Sequence, residues 1–313
     1  MMARTPATMV EGCHGGRLRV HTPASVLNSV RRPLRRWPAA LVVLPLVAFA
    51  VPAFAANLIG VSFADGFVYD VDAQTGAATH PRVLTTSDPL NLASLAGIEI
   101  DAGGSVFVAT TQGFAAYPST LFSVPLVDPF PAVTLRGAVG AQVGEGDLAL
   151  DPISGDLFAV GLTDLIAPFT LLRIDPSDPA AAEVVGQIGF DDVSALAFDA
   201  SGTLYALDTG ADALLVLDSS DASTLSTTSL SEALGALAGM DFDPASGTLY
   251  VADGGAGGTN TLYTLDPTTG VLGAIGPLGI ASGLSGLAVP EPGAALLGIA
   301  ACAALAGVAT RRR

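Results

Sequence analysis

Carboxylates are the main side chains with which the middle of this 313-residue chain could do chemistry. Residues 56–290 contain 27 acidic residues, three arginines, one histidine and no cysteine. The lack of cysteine excludes a disulfide framework, a zinc–thiolate cluster and a cysteine nucleophile from this segment. His80, the one histidine of this segment, lies in an irregular stretch without a visible partner, so a histidine general base and a multi-histidine metal site both have weak support. We therefore predict no catalytic residue and a protein that is not an enzyme.

Four acidic residues are candidate metal ligands. Glu99 and Asp241 occupy a position of a repeated segment that alanine fills in its other copies, and both are predicted to lie near one axis. Asp147 and Asp191 are predicted on loops that lead into the same strands. Converging carboxylate oxygens are the ligands that Ca²⁺ prefers. Glu99, Asp241, Asp147 and Asp191 therefore form a candidate Ca²⁺ site, with hydration of an acidic surface as the alternative and no other cofactor.

The charge of the chain is divided between its middle and its ends. Ten of the 13 basic residues, all arginines, lie in the first 36 residues or the last three. The 27 acidic residues and three arginines of residues 56–290 give that segment a net charge of about −24. Such a surface repels nucleic acid and anionic lipid. Cations, or proteins bridged by cations, are better partners for it, and no nucleic acid partner is predicted.

A short segment recurs along the middle of the chain. Its four copies end in aspartate, and the closing aspartates are spaced by 50, 48 and 44 positions. The copies are residues 95–101, 145–151, 193–199 and 237–243. Each copy leads into a turn and then into a second, a third and a weaker fourth apolar segment. A fixed period of this length indicates a repeat architecture.

The repeated segments are predicted to be β-strands. They alternate with period two, are rich in β-branched and aromatic residues, and lie between clusters of Gly, Pro, Asp and Ser. The turns at residues 151–155 and 243–247 combine an Asp that bonds its own backbone, a Pro that presets φ and a Gly that accepts positive φ. Four antiparallel strands in each repeat of 44 to 50 residues are typical of β-propeller blades. The predicted fold class is all-β.

The two ends of the repeat are predicted to close the propeller. The first unit lacks its innermost strand, and residues 284–289 form an extra copy of that strand after the last unit. Pairing of residues 284–289 with residues 58–61 completes five four-stranded blades and removes exposed edges. Recurring aromatic residues such as Phe158 and Tyr205 are predicted to pack between blades. An open or six-bladed arrangement is the alternative, because the fourth strand of the first unit, near residues 77–84, is poorly defined.

The first 55 residues resemble a basic leader with a secretory signal peptide. A positive region at residues 31–36 is followed by an apolar run at residues 39–51. Ala53 and Ala55 are the small residues that signal peptidase requires, which predicts cleavage before Ala56. An uncleaved membrane anchor is the alternative.

The C-terminal end combines a short motif, an apolar run and a basic stop. The motif residues are Val289, Pro290, Glu291 and Pro292, and the stop residues are Arg311, Arg312 and Arg313. Residues 293–310 carry no charge and span roughly 27 Å as a helix, about one hydrocarbon core. The order and spacing closely resemble the PEP-CTERM sorting signal of Gram-negative bacteria. A plain C-terminal anchor is the alternative.

The resemblance implies an export route, a location and partners. A membrane protease, exosortase, recognises the Pro-Glu-Pro motif in that family, so exosortase and signal peptidase are expected partners. The expected location is the inner membrane during sorting and then the cell surface or extracellular matrix. The expected domains are residues 1–55 (leader and signal peptide), 56–289 (propeller) and 290–313 (sorting signal with its transmembrane helix).

The predicted function is that of a non-catalytic propeller that binds other macromolecules. Acidic repeat domains behind such a signal resemble proteins that accompany exopolysaccharide, so exopolysaccharide or surface proteins are expected ligands. The alternative is an enzyme that resembles propeller lactonases or streptogramin-lyase-like propellers, with a metal at the channel mouth. A calcium-dependent adhesin module is a third possibility.

Overall fold

A computed structural model describes residues 57–86, 94–110, 119–127, 130–163, 166–255 and 258–290. The predicted cleavage residues Ala53, Ala55 and Ala56 lie outside these ranges, as do Glu291, Pro292 and Arg311, Arg312 and Arg313 of the predicted sorting signal. Within the described ranges no helix has the length and apolarity to cross a membrane. The predictions of a signal peptide and of a transmembrane helix therefore concern residues that the structure does not describe.

The described chain is built from twenty β-strands in five four-stranded antiparallel sheets. In chain order the strands are β1 (Asn57–Val61), β2 (Phe67–Asp72), β3 (Ala78–Val83), β4 (Leu95–Ile100), β5 (Ser105–Thr110), β6 (Thr120–Pro125), β7 (Thr134–Ala138), β8 (Val143–Leu150), β9 (Leu157–Thr163), β10 (Ile166–Ile174), β11 (Glu183–Gln187), β12 (Val193–Phe198), β13 (Leu204–Asp208), β14 (Ala213–Leu217), β15 (Thr224–Ser229), β16 (Leu237–Phe242), β17 (Leu249–Gly254), β18 (Thr261–Leu265), β19 (Leu272–Pro277) and β20 (Gly286–Ala288). A short 3₁₀ helix at Pro179–Ala181 precedes β11. The predicted all-β, five-bladed propeller is confirmed.

The ring is closed by a strand from the far end of the chain, as the sequence predicts. The first sheet has the order β20-β1-β2-β3. β20 pairs antiparallel with β1 through Ile59↔Ala288, Gly60↔Leu287 and Val61↔Gly286. The poorly defined fourth strand of the first unit is β3, which pairs with β2. The open and six-bladed alternatives are therefore excluded.

Each of the other four blades follows one stretch of sequence from the inside of the ring outwards. Their inner strands are β4, β8, β12 and β16, and β20 fills the same place in the first blade. Turn chemistry connects each inner strand to the next one. Asp151 Oδ1 accepts the N–H of Ile153 at 2.8 Å, and Gly155 closes that turn with a φ of +79°. An Asp that bonds the chain two residues on, followed by a residue free to take positive φ, produces these tight reversals.

Apolar residues of neighbouring blades pack face to face and form the core. Phe158 of β9 meets Phe198 of β12 with ring centroids 5.2 Å apart. Tyr205 of β13 and Phe242 of β16 are separated by the same 5.2 Å one blade further on. The repeated aromatic positions therefore belong to packing between blades, as predicted.

Candidate functional site: the axis of the propeller

The five inner strands align two layers of residues around the axis. The first layer contains Gly97, Asp147, Ala195, Gly239 and Gly286, and the second contains Glu99, Ala149, Ala197, Asp241 and Ala288. Small residues dominate both layers, because five strands converge at the axis. The three acidic residues are therefore the side chains that can fill the axis and act chemically there.

Asp147 is a hydrogen-bonded clamp at the axis. Its side chain is completely buried. Its Oδ1 accepts the N–H groups of Ile98 at 3.1 Å and of Leu148 at 2.9 Å. Its Oδ2 accepts those of Met240 at 3.0 Å and Leu287 at 2.8 Å. One carboxylate therefore joins four of the five inner strands (β4, β8, β16 and β20), and these four bonds use the roughly four acceptor positions that a carboxylate has.

Glycine allows the other strands to come within reach of this clamp. A Cβ atom built on Gly286 would lie 2.7 Å from Asp147 Oδ1, and one built on Gly97 would lie 2.6 Å from Asp147 Cα. Real side chains do not approach that closely, so neither position has room for alanine unless its neighbours shift. The glycines at these two positions let backbone N–H groups approach the carboxylate directly.

The prediction that Asp147 lies on a loop is wrong. Asp147 lies within β8, which begins at Val143 and is longer than the repeated segment suggests. The repeat contained a signal for this, because Asp147 aligns with Gly97, Gly239 and Gly286. An acidic residue among glycines at an inward-facing position indicates a buried acceptor surrounded by accessible backbone donors.

Glu99 and Asp241 form a second set of bridges between neighbouring blades. Glu99 Oε1 accepts the N–H of Ile100 at 2.7 Å, and its Oε2 accepts that of Leu150 in the next blade at 3.1 Å. Asp241 repeats this arrangement, since its Oδ1 accepts the N–H of Phe242 at 2.8 Å and its Oδ2 that of Val289 at 2.6 Å. The two residues are 6% and 8% exposed. Their predicted place near the axis is therefore correct.

Glu99 and Asp241 line a cavity of about 550 Å³ at the end of the axis. The cavity opens on the face where the inner strands end, which we call the exit face. Its described lining consists of Glu99, Ile100, Asp101, Ala102, Gly103, Leu150, Asp151, Pro152, Gly155, Phe198, Asp199, Ala200, Asp241, Phe242, Pro244 and Val289. Five of these residues are acidic and none is basic. Asp101, Asp151 and Asp199, the closing aspartates of three repeats, were not among the predicted site residues.

Burial raises the pKa values of Glu99 and Asp147, and repulsion by neighbouring carboxylates adds to the effect at Glu99. The pKa of Glu99 lies well above its ordinary value, first because of burial and then because of the negative charge of Asp241, with Asp147 adding a smaller repulsion. Burial also raises the pKa of Asp147, although its four backbone N–H donors oppose that effect. A buried carboxyl beside another retains its proton to higher pH than an exposed one.

We expect the free energy of unfolding to rise when the pH is lowered from 8 towards the ordinary pKa of glutamate. Folded Glu99 has the higher pKa, so the folded chain binds its proton more tightly than the unfolded chain does. Glu99 therefore contributes stability that is present at low pH and lost as the pH rises through its folded pKa. Urea unfolding at several pH values measures this slope. Asp241→Asn should reduce the dependence of the unfolding free energy on pH. An unchanged slope in that variant would contradict the repulsion between Glu99 and Asp241.

The last candidate ligand, Asp191, lies apart from the other three. It is exposed and lies two residues before β12, so it is near the start of an inner strand, whereas Glu99 lies near the end of one. In the described part of the chain no group of three or more His, Cys, Asp or Glu residues has the arrangement of a metal site. Ca²⁺ binding by Glu99 and Asp241 therefore stays a prediction. Asp147 is not expected to be a ligand, because its four acceptor positions are already used by backbone N–H groups.

His80 lies on the outer strand β3 and does not line the cavity. Its Nδ1 is 3.4 Å from Asp70 and 3.2 Å from the hydroxyl of Thr79, and its side chain is 78% exposed. The described histidine and the axial carboxylates are therefore separate features of the molecule.

The fold and the site together define a five-bladed β-propeller with an acidic axial cavity. No protein-family model matches its sequence, and no curated protein matches it.

Several solved structures are similar to this chain in fold at low sequence identity. A chain of the nidogen/laminin complex has a TM-score of 0.47 and 18% sequence identity, over 75% of this chain and 85% of that one. An aldose sugar dehydrogenase with bound PQQ from Streptomyces coelicolor has a TM-score of 0.42 and 18% sequence identity, over 67% of this chain and 73% of that one. A gluconolactonase from Xanthomonas campestris has a TM-score of 0.40 and 16% sequence identity, over 60% of this chain and 62% of that one. Function is inferred from this chain's own residues, because a shared fold does not imply a shared function.

Proposed function

We propose that this protein is an exported, non-catalytic propeller that binds other macromolecules at the cell surface or in the extracellular matrix and is sorted through a PEP-CTERM signal. The observation that carries the non-catalytic part is the use of the axial carboxylates. Both oxygens of Asp147, Glu99 and Asp241 accept backbone N–H groups of the inner strands. These carboxylates hold blades together, which is a structural use of the residues an enzyme would need for acid–base chemistry.

The position of the motif supports the sorting part of the proposal. Val289 is buried, and its N–H donates to Asp241, so the first residue of the motif is also the last buried residue of the propeller. Pro290 follows directly and is the last residue that the structure describes. A protease that recognises Pro290, Glu291 and Pro292 would therefore act at the boundary of the folded ring and would leave its core intact.

Mass spectrometry of the exported protein tests the sorting proposal. We expect the form recovered from a Gram-negative host that carries an exosortase to lack Arg311, Arg312 and Arg313, and the same host without exosortase to retain them. The variant Glu291→Ala, Pro292→Ala changes the motif outside the described ring and should block the processing. Retention of the arginines in the first host, or their equal loss in both hosts, would refute the sorting signal.

A screen against lactones and esters tests the non-catalytic part. We expect no turnover above the uncatalysed rate. Turnover that is abolished by Glu99→Ala or Asp241→Ala, but not by the exposed Asp191→Ala, would replace the binding function with the lactonase-like alternative. The Asp191 variant controls for the general loss of one acidic charge.

A further inference from the structure

The size of the axial cavity is suited to an organic ligand. Its volume of about 550 Å³ falls within the range of roughly 300 to 1,000 Å³ that small-molecule sites occupy. A bare metal ion would fill a small part of that space. The ligand that fits this volume is a small organic molecule of several non-hydrogen atoms.

The charge of the cavity selects the sign of that ligand. Its lining contains five carboxyl side chains and no basic one. The three arginines in the described part of the chain contact residues elsewhere, since Arg82 pairs with Asp70, Arg173 pairs with Glu183 and Arg136 donates to Ser123. A group with a positive charge and N–H donors is the complement of such a cavity.

Glu99 has acceptor capacity left for a ligand. Each of its two oxygens accepts one backbone N–H, from Ile100 and from Leu150. A carboxylate offers about four acceptor positions, so about two remain on a side chain that lines the cavity. Asp147 differs in this respect, because its four acceptor positions are already in use.

The rest of the lining is apolar. Phe198, Phe242 and Val289 are buried residues beside the carboxylates, and Pro152 and Pro244 lie in the turns of the exit face. Aromatic rings attract cations as well as apolar groups. A ligand that combines a charged nitrogen with an apolar body would therefore contact both parts of the lining.

We propose that the axial cavity binds a small organic cation, with its ammonium or guanidinium group at Glu99 and its apolar body against Phe198 and Phe242. This goes beyond the proposed binding of macromolecules and is independent of it. Binding would place a positive charge beside Glu99, whose pKa burial and Asp241 raise. Affinity is therefore expected to fall as the pH is lowered and Glu99 takes up its proton.

Titration of the purified protein with 2-phenylethylammonium tests the proposal, with neutral 2-phenylethanol as the matched probe. We expect saturable binding of the ammonium ion that shifts the amide NMR signals of Ile100, Leu150 and Val289. The alcohol should bind at least about tenfold more weakly, which corresponds to one charge-assisted hydrogen bond. Equal affinity for the two probes, or no saturable binding of the ammonium ion, would overturn the proposal.

Two variants assign the binding to the cavity. Glu99→Gln should weaken ammonium binding at least about tenfold. Asp101→Asn with Asp199→Asn removes two charges but keeps the Oδ1 acceptors that bond the amides of Ser105 and Ser201, so this double variant should fold and bind more weakly. Wild-type affinity in both variants would contradict the assignment.

The control for charge is Asp218→Asn. Asp218 Oδ1 accepts the N–H of Ser220 in a turn of the same kind, and Asp218 does not line the cavity. This variant should bind as the wild type does, and an equal loss of affinity there would indicate attraction by the acidic surface as a whole. Saturable Ca²⁺ binding that needs Glu99, with no ammonium binding, would overturn the proposal in favour of the calcium site.

Discussion

A chain shortened after Gly283 is expected to lose its cooperative unfolding transition, whereas a chain that ends at Pro290 should retain it. The removed residues include Leu284, Leu287 and Val289, which are at most 3% exposed. Full burial of three such side chains contributes about 5 to 9 kcal/mol, which is comparable with the whole stability of an ordinary domain. The shortened chain therefore has no stable folded ring to lose cooperatively.

The same truncation removes hydrogen bonds as well as apolar surface. β1 keeps its pairing with β2 but loses β20 and becomes an open edge of the sheet. Asp147 loses the N–H of Leu287, and Asp241 loses that of Val289. Urea denaturation followed by circular dichroism measures the effect, with the chain that ends at Pro290 as the control for loss of residues 291–313. Equal unfolding midpoints in the two chains would show that the closing strand is dispensable.

Replacement of Asp147 by alanine is expected to destabilise the protein by about 4 kcal/mol, since four buried backbone N–H groups lose their acceptor at a cost of about 1 kcal/mol or more each. The variant also avoids the cost of burying the Asp147 carboxyl, and this gain offsets part of the stability lost with the hydrogen bonds. Asp147→Asn should also destabilise, because the amide accepts at one atom and presents donors to the other two N–H groups.

Urea unfolding and amide hydrogen exchange measure this change. Exchange should accelerate at Ile98, Met240 and Leu287, which lie on three different strands. The matched control is Asp191→Ala, which removes an exposed acid and should change stability by about 0.5 kcal/mol or less. An Asp147→Ala protein as stable as this control would show that the clamp does not hold the ring together.

The clamp has a consequence for evolution of function in this fold. One acid tied to four strands has no freedom to move a proton or bind a ligand without loosening the ring. Glu99 accepts two backbone N–H groups and lines the cavity, so its carboxylate keeps about two acceptor positions. Both layers of the axis therefore join the inner strands, and the second layer also lines the cavity.

Local sequence was sufficient to predict the blades. Period-two alternation between Asp-Pro-x-Ser-Gly turns is a property of neighbouring residues, and it indicates a strand and a reversal whatever the rest of the chain does. The closing strand was also predictable, because residues 284–289 repeat the inner-strand segment and the first unit lacks a copy of that segment. Glu99 and Asp241 were recognised in the same way, by their alignment with alanines of the repeat.

The role of Asp147 was decided by tertiary structure. Its hydrogen-bond partners Ile98, Met240 and Leu287 lie 49, 93 and 140 positions away along the chain. No local pattern reports such contacts, because they exist when closure brings the five inner strands around one axis. The cavity has the same origin, since its lining comes from the ends of several inner strands. Sequence alone therefore determined the strands, their turns and their repetition. Closure of the ring decided that Asp147 binds backbone of four strands, and that Glu99 and Asp241 bind backbone and also line the cavity.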